Sequence, residues 1–150
     1  MDTEMKKSDF DEYEGLKLLI SKSAHYYKRS TERWVEIVEF WQEVAPKHFG
    51  DEVVFEIFES NSRVDGVAVG QRFSIHSSML VERDEACLQA EVVVRDRFED
   101  KKVVLDSFLV RHNGTITTID GEELLDRGDD LREYKLLSAI IRKVFNVTES

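Results

Sequence analysis

The stretch CLQAEVVVRDRFEDKKVVLDSFLVRHNGTITTID, residues 87–120, decides the fold, because apolar and polar residues alternate in it between two turn signals. A period of two is typical of strands that bury one face. Asn113-Gly114 is the stronger turn signal, since both residues tolerate the positive φ of a two-residue type I′ turn. The weaker signal lies at 98–101. The pattern predicts consecutive antiparallel strands at 86–98, 101–112 and 115–120.

Outward from this stretch, the same period predicts two earlier strands, at 52–60 and 67–81, and short connections favour a meander. Before Asp51 the apolar spacing is three to four, which predicts a helix at 9–28 and a second helix that Thr31 caps and Pro46 ends. A last amphipathic helix is predicted at 130–146. The predicted fold class is therefore α+β, with two N-terminal helices and a C-terminal helix packed on one face of a five-stranded antiparallel meander sheet.

Length and composition indicate one globular domain over residues 1–150, with 41% hydrophobic residues as core material. The N terminus lacks a basic region followed by an apolar run, and the chain has no run of 18 apolar residues, so we expect neither secretion nor a membrane segment. Cys87 is the single cysteine, which indicates a small buried side chain in a reducing cytoplasm.

The net charge of −10 is uneven, because residues 31–60 carry eight acidic and only two basic side chains. A field of this sign repels phosphate backbones, so direct nucleic-acid binding is disfavoured, and a basic protein partner or simple solubility is favoured. Four of these acids recur along one side of the second predicted helix. Such stripes are common on solvated helix faces, and this acidic stripe is also a candidate partner-binding surface: Glu32, Glu36, Glu39 and Glu43.

The acidic segment TIDGEELLDRGDDL, residues 118–131, is interpreted as a turn that leads into the last helix, where Asp129 or Asp130 can cap backbone amides. A calcium loop of the EF-hand type needs acids at alternating positions before its glycine and a final bidentate Glu, and neither is present. Histidines at a spacing of four are also absent from the sequence. We therefore expect no metal and no cofactor.

The predicted hairpin register places Val94 opposite Leu105 and Ala90 opposite Leu109. One sheet face is then the core face, and the other combines polar and apolar side chains. Four apolar residues on this mixed face would form a patch that soluble monomers avoid, which predicts a homodimer through the sheet. They are Val93, Val104, Phe108 and Val110.

The same mixed face offers a second interpretation, a pocket formed by His76, Glu91, Arg95 and Asp106. A histidine polarised by a carboxylate is what general-base catalysis requires, and Ser74 or Ser78 could supply a hydroxyl. A cross-strand polar pair on a partly exposed sheet explains His76 and Glu91 without any chemistry. We retain both interpretations at this point.

No family follows from the residues. The order helix, helix, meander, helix is similar to several small cone or half-barrel folds, and the size and acidity look like those of small acidic secretion chaperones, whose sheet a helix interrupts. Because no cofactor motif is present, the sequence favours a non-catalytic interaction protein, meaning an accessory, adaptor or inhibitor that acts through a protein surface. The alternative is a small-molecule binder or enzyme with a pocket around His76.

Overall fold

The structure is a computed structural model that describes residues 4–11, 13–58, 62–82, 85–96 and 100–148. It confirms the α+β class, with a long helix, a curled antiparallel sheet and a C-terminal helix. The sheet is a meander in which each strand pairs with the next along the chain, and it has seven strands rather than five. They are β1 (Val53–Phe58), β2 (Arg63–Ala68), β3 (Gln71–Glu82), β4 (Glu85–Asp96), β5 (Lys101–Val110), β6 (Ile116–Thr117) and β7 (Glu123–Leu125).

One helix, α1 (Leu16–Phe49), replaces the two predicted N-terminal helices. The predicted break at Thr31 was wrong, because the Thr31 hydroxyl donates a hydrogen bond of 2.9 Å to the carbonyl of Tyr27, one turn earlier, and so is satisfied inside a helix. The helix also continues past Pro46 for less than one turn, and the chain then turns at Gly50, whose φ is 59°. Before α1 the chain forms short 3-10 turns at Lys7–Phe10 and Tyr13–Gly15.

A tight turn at Val69-Gly70 divides the predicted strand 67–81 into β2 and β3. Both residues have positive φ, 48° and 79°, and they join Ala68 to Gln71, so the connection has the backbone of a two-residue type I′ turn. A β-branched residue is rarely found at this φ. The sequence therefore gave no turn signal at Val69, and β2 was missed.

The predicted turn at 112–115 is present but is one residue longer. The amide of Gly114 donates to the carbonyl of Arg111 at 2.9 Å, Gly114 has a φ of 90°, and Arg111 pairs with Thr115. This is a three-residue hairpin loop rather than the predicted type I′ turn. The other predicted turn includes Phe98 and Glu99, which lie outside the described residues, and the strands around it close at Asp96 opposite Lys101.

The predicted register between β4 and β5 was wrong. The error changes which sheet face the side chains in the second half of β5 occupy. Near the loop, Val94 lies opposite Val103 instead of Leu105, a shift of two that preserves the faces. A bulge then adds one residue to β5 beside Val92, so that Ala90 lies opposite Phe108 instead of Leu109. A shift of one exchanges the two faces, and the second half of β5 is turned over.

The hydrophobic core lies between one face of the sheet and the two helices. The second half of α1 contributes Trp34, Ile37, Val38 and Trp41, and the indole nitrogen of Trp41 donates to the carbonyl of Glu133 at 2.7 Å. The C-terminal helix, α2 (Arg132–Thr148), buries an apolar stripe against the same face: Leu136, Leu137, Ile140 and Val144. The prediction of helix packing on one sheet face is consistent with this core.

The segment between β6 and α2 forms turns, as the sequence predicted, and also contributes β7. The carboxylate of Asp129 accepts a hydrogen bond of 2.7 Å from the amide of Asp126, so it closes the loop. Arg132, at the start of α2, is buried and donates to the carbonyl of Gly114 at 2.6 Å. These contacts fasten the β5–β6 hairpin loop to the beginning of α2.

Candidate functional site

A groove of about 870 Å3 lies on the outer face of the sheet, opposite the helices. It crosses the first five strands, because every second side chain of each strand points to this face. Its lining combines valines with charged side chains of both signs. The lining includes Val54, Arg63, Asp65, Arg72, Ser74, His76, Val93, Arg95, Asp100 and Lys102.

His76 occupies the middle of this face. It lies directly opposite Arg63 of β2 on one side and Glu91 of β4 on the other. From β5, the ammonium group of Lys102 approaches Nδ1 of His76 to 3.3 Å. Since an ammonium group can only donate, Nδ1 is the acceptor in this contact and the ring proton lies on Nε2.

The surroundings of His76 favour its neutral form. Partial burial, followed by the positive charges of Lys102 and Arg63, lowers the pKa of His76 below its usual value of 6.5, although Asp65 and Glu91 act in the opposite direction. Burial and the two cations close to the ring together outweigh the two carboxylates. The imidazole presents Nε2–H as a hydrogen-bond donor at neutral pH.

Most of the remaining polar groups of the groove are paired with one another. The Ser74 hydroxyl donates to Asp65 at 2.8 Å, and the same carboxylate lies 3.0 Å from Nε of Arg63. Arg95 forms an ion pair of 2.9 Å with Asp100. The groove thus contains neighbouring side chains of opposite charge around a neutral histidine.

The structure brings together only part of the predicted pocket. His76 and Glu91 are direct neighbours, closer than the predicted diagonal contact, and Arg95 lies in the groove wall. Asp106 is on the opposite face, where it lies 3.6 Å from Lys143 of α2. Its placement beside His76 was wrong because the bulge in β5 exchanges the faces from this residue onward.

The predicted apolar patch is also divided by the bulge. Phe108 and Val110 are buried in the core, where the Phe108 ring lies 5.9 Å from the ring of Trp34. Val93 and Val104 remain opposite one another on the outer face, but Val93 is only 6% exposed and forms part of the groove floor. The four residues therefore do not form one exposed surface.

The acidic stripe is a single face of α1, as its spacing predicted, because the four glutamates lie on the side away from the core. Three of them have basic neighbours one turn away: Arg29 to Glu32 at 3.9 Å, Arg33 to Glu36 at 3.6 Å and Lys47 to Glu43 at 3.6 Å. The pairs of Glu32 and Glu43 are solvent-exposed, whereas the Arg33 side chain is only 19% exposed. Partner binding by the stripe stays a prediction.

Among the residues that the structure describes, no three His, Cys, Asp or Glu side chains are grouped closely enough to hold a metal ion. Cys87 is buried within β4. Arg111 approaches its sulfur to 4.0 Å. The chemistry available at the groove is therefore that of its charged side chains and of the His76 ring.

Sequence reasoning missed seven charged residues that line the groove: Arg63, Asp65, Glu56, Arg72, Asp96, Asp100 and Lys102. The first two belong to β2, which was interpreted as a loop because the turn at Val69 was hidden. A signal was present, since RVDGVA at 63–68 alternates between the two faces and every second residue of it is buried.

Comparisons of the chain with protein-family models, curated proteins and solved structures gave no match. Neither α1 nor α2 has the length and apolar content needed to span a membrane, within the described part of the chain.

Proposed function

We propose that this protein is a non-catalytic interaction protein, an accessory, adaptor or inhibitor, that binds a protein partner. The observation that carries this proposal is the pairing of polar groups in the groove. A serine nucleophile must lie within hydrogen-bond reach of its base. Here the Ser74 hydroxyl donates to Asp65, and the Nδ1 atom of His76 accepts from Lys102. The groups that catalysis would join are bound to other partners.

The lining of the groove favours a segment of a protein as its occupant. Sites for small molecules are mostly apolar, with few polar groups. This groove instead alternates exposed valines such as Val54 with cations and carboxylates. An extended polypeptide carries side chains of both signs at the spacing of a strand, and it can exchange the ion pairs of the groove for its own.

The acidic stripe supports a basic region in the same partner or in a second one. Exposed ion pairs within a helix contribute only about 0.3–0.5 kcal/mol each, so a basic segment can displace Arg29 from Glu32 and Lys47 from Glu43 at little cost. The net charge of −10 makes nucleic acid a poor competitor for these surfaces. We also propose the cytoplasm as the compartment, which the single buried cysteine supports.

The test is affinity capture from native cytosol with three forms of the chain. The first is unmodified, the second carries Arg72→Glu and Lys102→Glu in the groove, and the third carries the matched changes Lys17→Glu and Lys135→Glu on the helices. We expect a partner that the first and third forms retain and the second loses. A partner retained equally by all three forms would exclude the groove as its binding surface.

A small-molecule binder or enzyme remains the second candidate, because the groove volume is within the range of ligand pockets and His76 lies beside Glu91. The suitable probes are inorganic phosphate and succinate, followed by the ring signals of His76 in an NMR titration. Saturable shifts that Lys102→Gln removes would support this candidate. Unchanged signals at the highest probe concentration would leave the protein-binding function as the better proposal.

A further inference from the structure

The side chains of the outer sheet face lie in rows that cross the strands. Directly opposite residues of neighbouring strands share a row, and the next row of the same face comes two residues further along, about 7 Å away. One row, the valine row, consists of Ser74, Val93 and Val104 on β3, β4 and β5. The register, continued by two residues, gives the next row, the cationic row: Arg72, Arg95 and Lys102.

The cationic row lacks the negative charges that would balance it. Cations that lie beside one another on neighbouring strands repel each other. Asp100 neutralises Arg95 at 2.9 Å. Among the described residues, no carboxylate lies within ion-pair distance of Arg72 or Lys102, and the hydrogen-bond partner of Lys102 is the neutral ring of His76. Two of the three positive charges are therefore not balanced, although the whole chain has a net charge of −10.

The pairing between β3 and β4 also ends at the cationic row. Its last pair is Ser74 opposite Val93, although each strand continues for three further residues. Beyond this pair β3 stays paired with β2, and β4 with β5, so the sheet forks between Arg72 and Arg95. Strand residues direct their main-chain N–H and C=O groups alternately to the two sides. Within the described part of the chain, no strand pairs with the groups that point into the fork.

The two rows together fit an extended polypeptide segment better than a free anion. Every second side chain of an extended segment lies on one face, at the same spacing of about 7 Å as the rows. A segment that runs along β4 can therefore place an apolar side chain on the valine row and an acidic side chain on the cationic row. Val104 is 50% exposed, so an apolar side chain has a surface to cover. A nucleic-acid backbone has no such side chain, and the net charge of the protein repels it.

We propose that the groove binds an acidic, extended segment of the partner, with a Glu or Asp side chain on the cationic row and an aliphatic side chain, two residues away, on the valine row. The inference rests on the proposed function, because it names the chemistry of the segment that the groove takes. It also gives the two candidate surfaces opposite preferences. The acidic stripe of α1 takes a basic region, and the groove takes an acidic one.

The test uses three synthetic peptides with both termini blocked, so that no terminal carboxylate contributes. The first contains valine and glutamate two residues apart, separated by serine, and this unit occurs twice. The second has glutamine in place of glutamate, and the third has lysine. Fluorescence anisotropy measures binding to the unmodified chain. We expect the glutamate peptide to bind roughly ten-fold or more tightly than the glutamine peptide, because several exposed ion pairs form together, and the lysine peptide to bind most weakly.

Variants of the chain locate this preference. Arg72→Gln with Lys102→Gln should reduce the preference for glutamate over glutamine to about two-fold or less, because the charges that interact are then absent. The matched control is Lys17→Gln with Lys135→Gln, which removes the same charge from the helices and should keep the preference. All four residues are exposed, so circular dichroism should show an unchanged fold.

Equal binding of the glutamate and glutamine peptides, or an equal loss of preference in the control variant, would overturn the proposal. So would succinate that binds as tightly as the glutamate peptide, since the site would then be one for a small dicarboxylate. A captured partner that depends on the groove, together with no preference for glutamate, would refute the acidic segment and leave the proposed function standing. A preference for glutamate without any groove-dependent capture would support the acidic site and count against the protein partner.

Discussion

The two halves of α1 carry the same pattern and have different surroundings. In residues 30–45 the apolar side of the helix is buried against the sheet, and Trp41 is fully inaccessible to solvent. At the start of the helix the apolar residues on the same side, Leu16, Leu19 and Ile20, are 53%, 42% and 59% exposed. Periodicity therefore predicts which side of a helix is apolar, and the extent of the opposing sheet decides how much of that side is core.

A related contrast exists within β5, on the two sides of its bulge. Val104 precedes the extra residue and faces outward, whereas Phe108 follows it and is buried below α1. In this strand one inserted residue decides whether a side chain is buried or exposed, as the extent of the sheet does along the helix. In both cases the local pattern is intact and a neighbouring element assigns the role.

The largest expected effect on stability is that of a substitution at Phe108. We expect Phe108→Glu to cost roughly 5 kcal/mol or more, because it removes a core ring and buries an unpaired charge, which approaches the total stability of a domain. Val104→Glu, on the exposed side of the bulge, should cost less than about 0.5 kcal/mol. Denaturant unfolding measures both. A folded Phe108→Glu form with normal stability would mean that the bulge is placed wrongly.

The two halves of α1 can be compared directly by truncating one side chain in each. Trp41→Ala should cost about 3–5 kcal/mol, because it removes a buried ring and the hydrogen bond of its indole nitrogen to Glu133. Ile20→Ala should cost less than about 1 kcal/mol, since its side chain is 59% exposed and has little packing to lose. Similar losses of unfolding free energy for both variants would refute the distinction between the halves.

The acidic side of α1 should contribute little to stability. Replacing Glu32, Glu36, Glu39 and Glu43 by Gln should change the unfolding free energy by less than about 1 kcal/mol, because the ion pairs lost are exposed and mutual repulsion is relieved. Thermal unfolding at low and high salt measures this change. Binding of a captured basic partner should weaken, and most strongly at low salt. Undiminished binding would remove the stripe as a partner surface.

The smallest effect concerns His76, which is neither core nor free surface. Its pKa should lie below 6.5 in an NMR titration, and Lys102→Gln should raise it, whereas Lys47→Gln on α1 should not. Because the unfolded chain then binds more protons than the folded one, stability should decrease as pH falls from 6.5 through the folded-state pKa. If Lys102→Gln leaves the pKa of His76 unchanged, the two side chains are not in contact in solution.

The elements that local chemistry specifies could be predicted from the sequence. Alternation identified β4 and β5, the glycine at 114 marked a turn, and the apolar spacing of α2 identified its buried side. The missed features depend on backbone conformations that the residue types do not predict. Val69 adopts a φ that suits glycine or asparagine, and the bulge beside Val92 has no residue that marks it.

The candidate site depended on these missed features. Ser74, His76, Arg95 and Glu91 share a face because their own strands alternate regularly, so they could be placed together from the sequence. Asp106 could not be placed in this way, because the bulge between it and the β4–β5 connection decides which face of the sheet it occupies. Arg63 and Asp65 were absent from the predicted site because they lie between the predicted strands 52–60 and 67–81. The alternating pattern alone does not mark where β2 begins and ends.

The length of α1 also has a hydrodynamic consequence. At 34 residues the helix measures about 51 Å, whereas a compact domain of this size has a radius of gyration of only about 15 Å. A single chain should therefore elute from a gel-filtration column ahead of globular standards of 17.5 kDa. Elution volume alone would overstate the number of chains, and mass must be determined without assuming a shape.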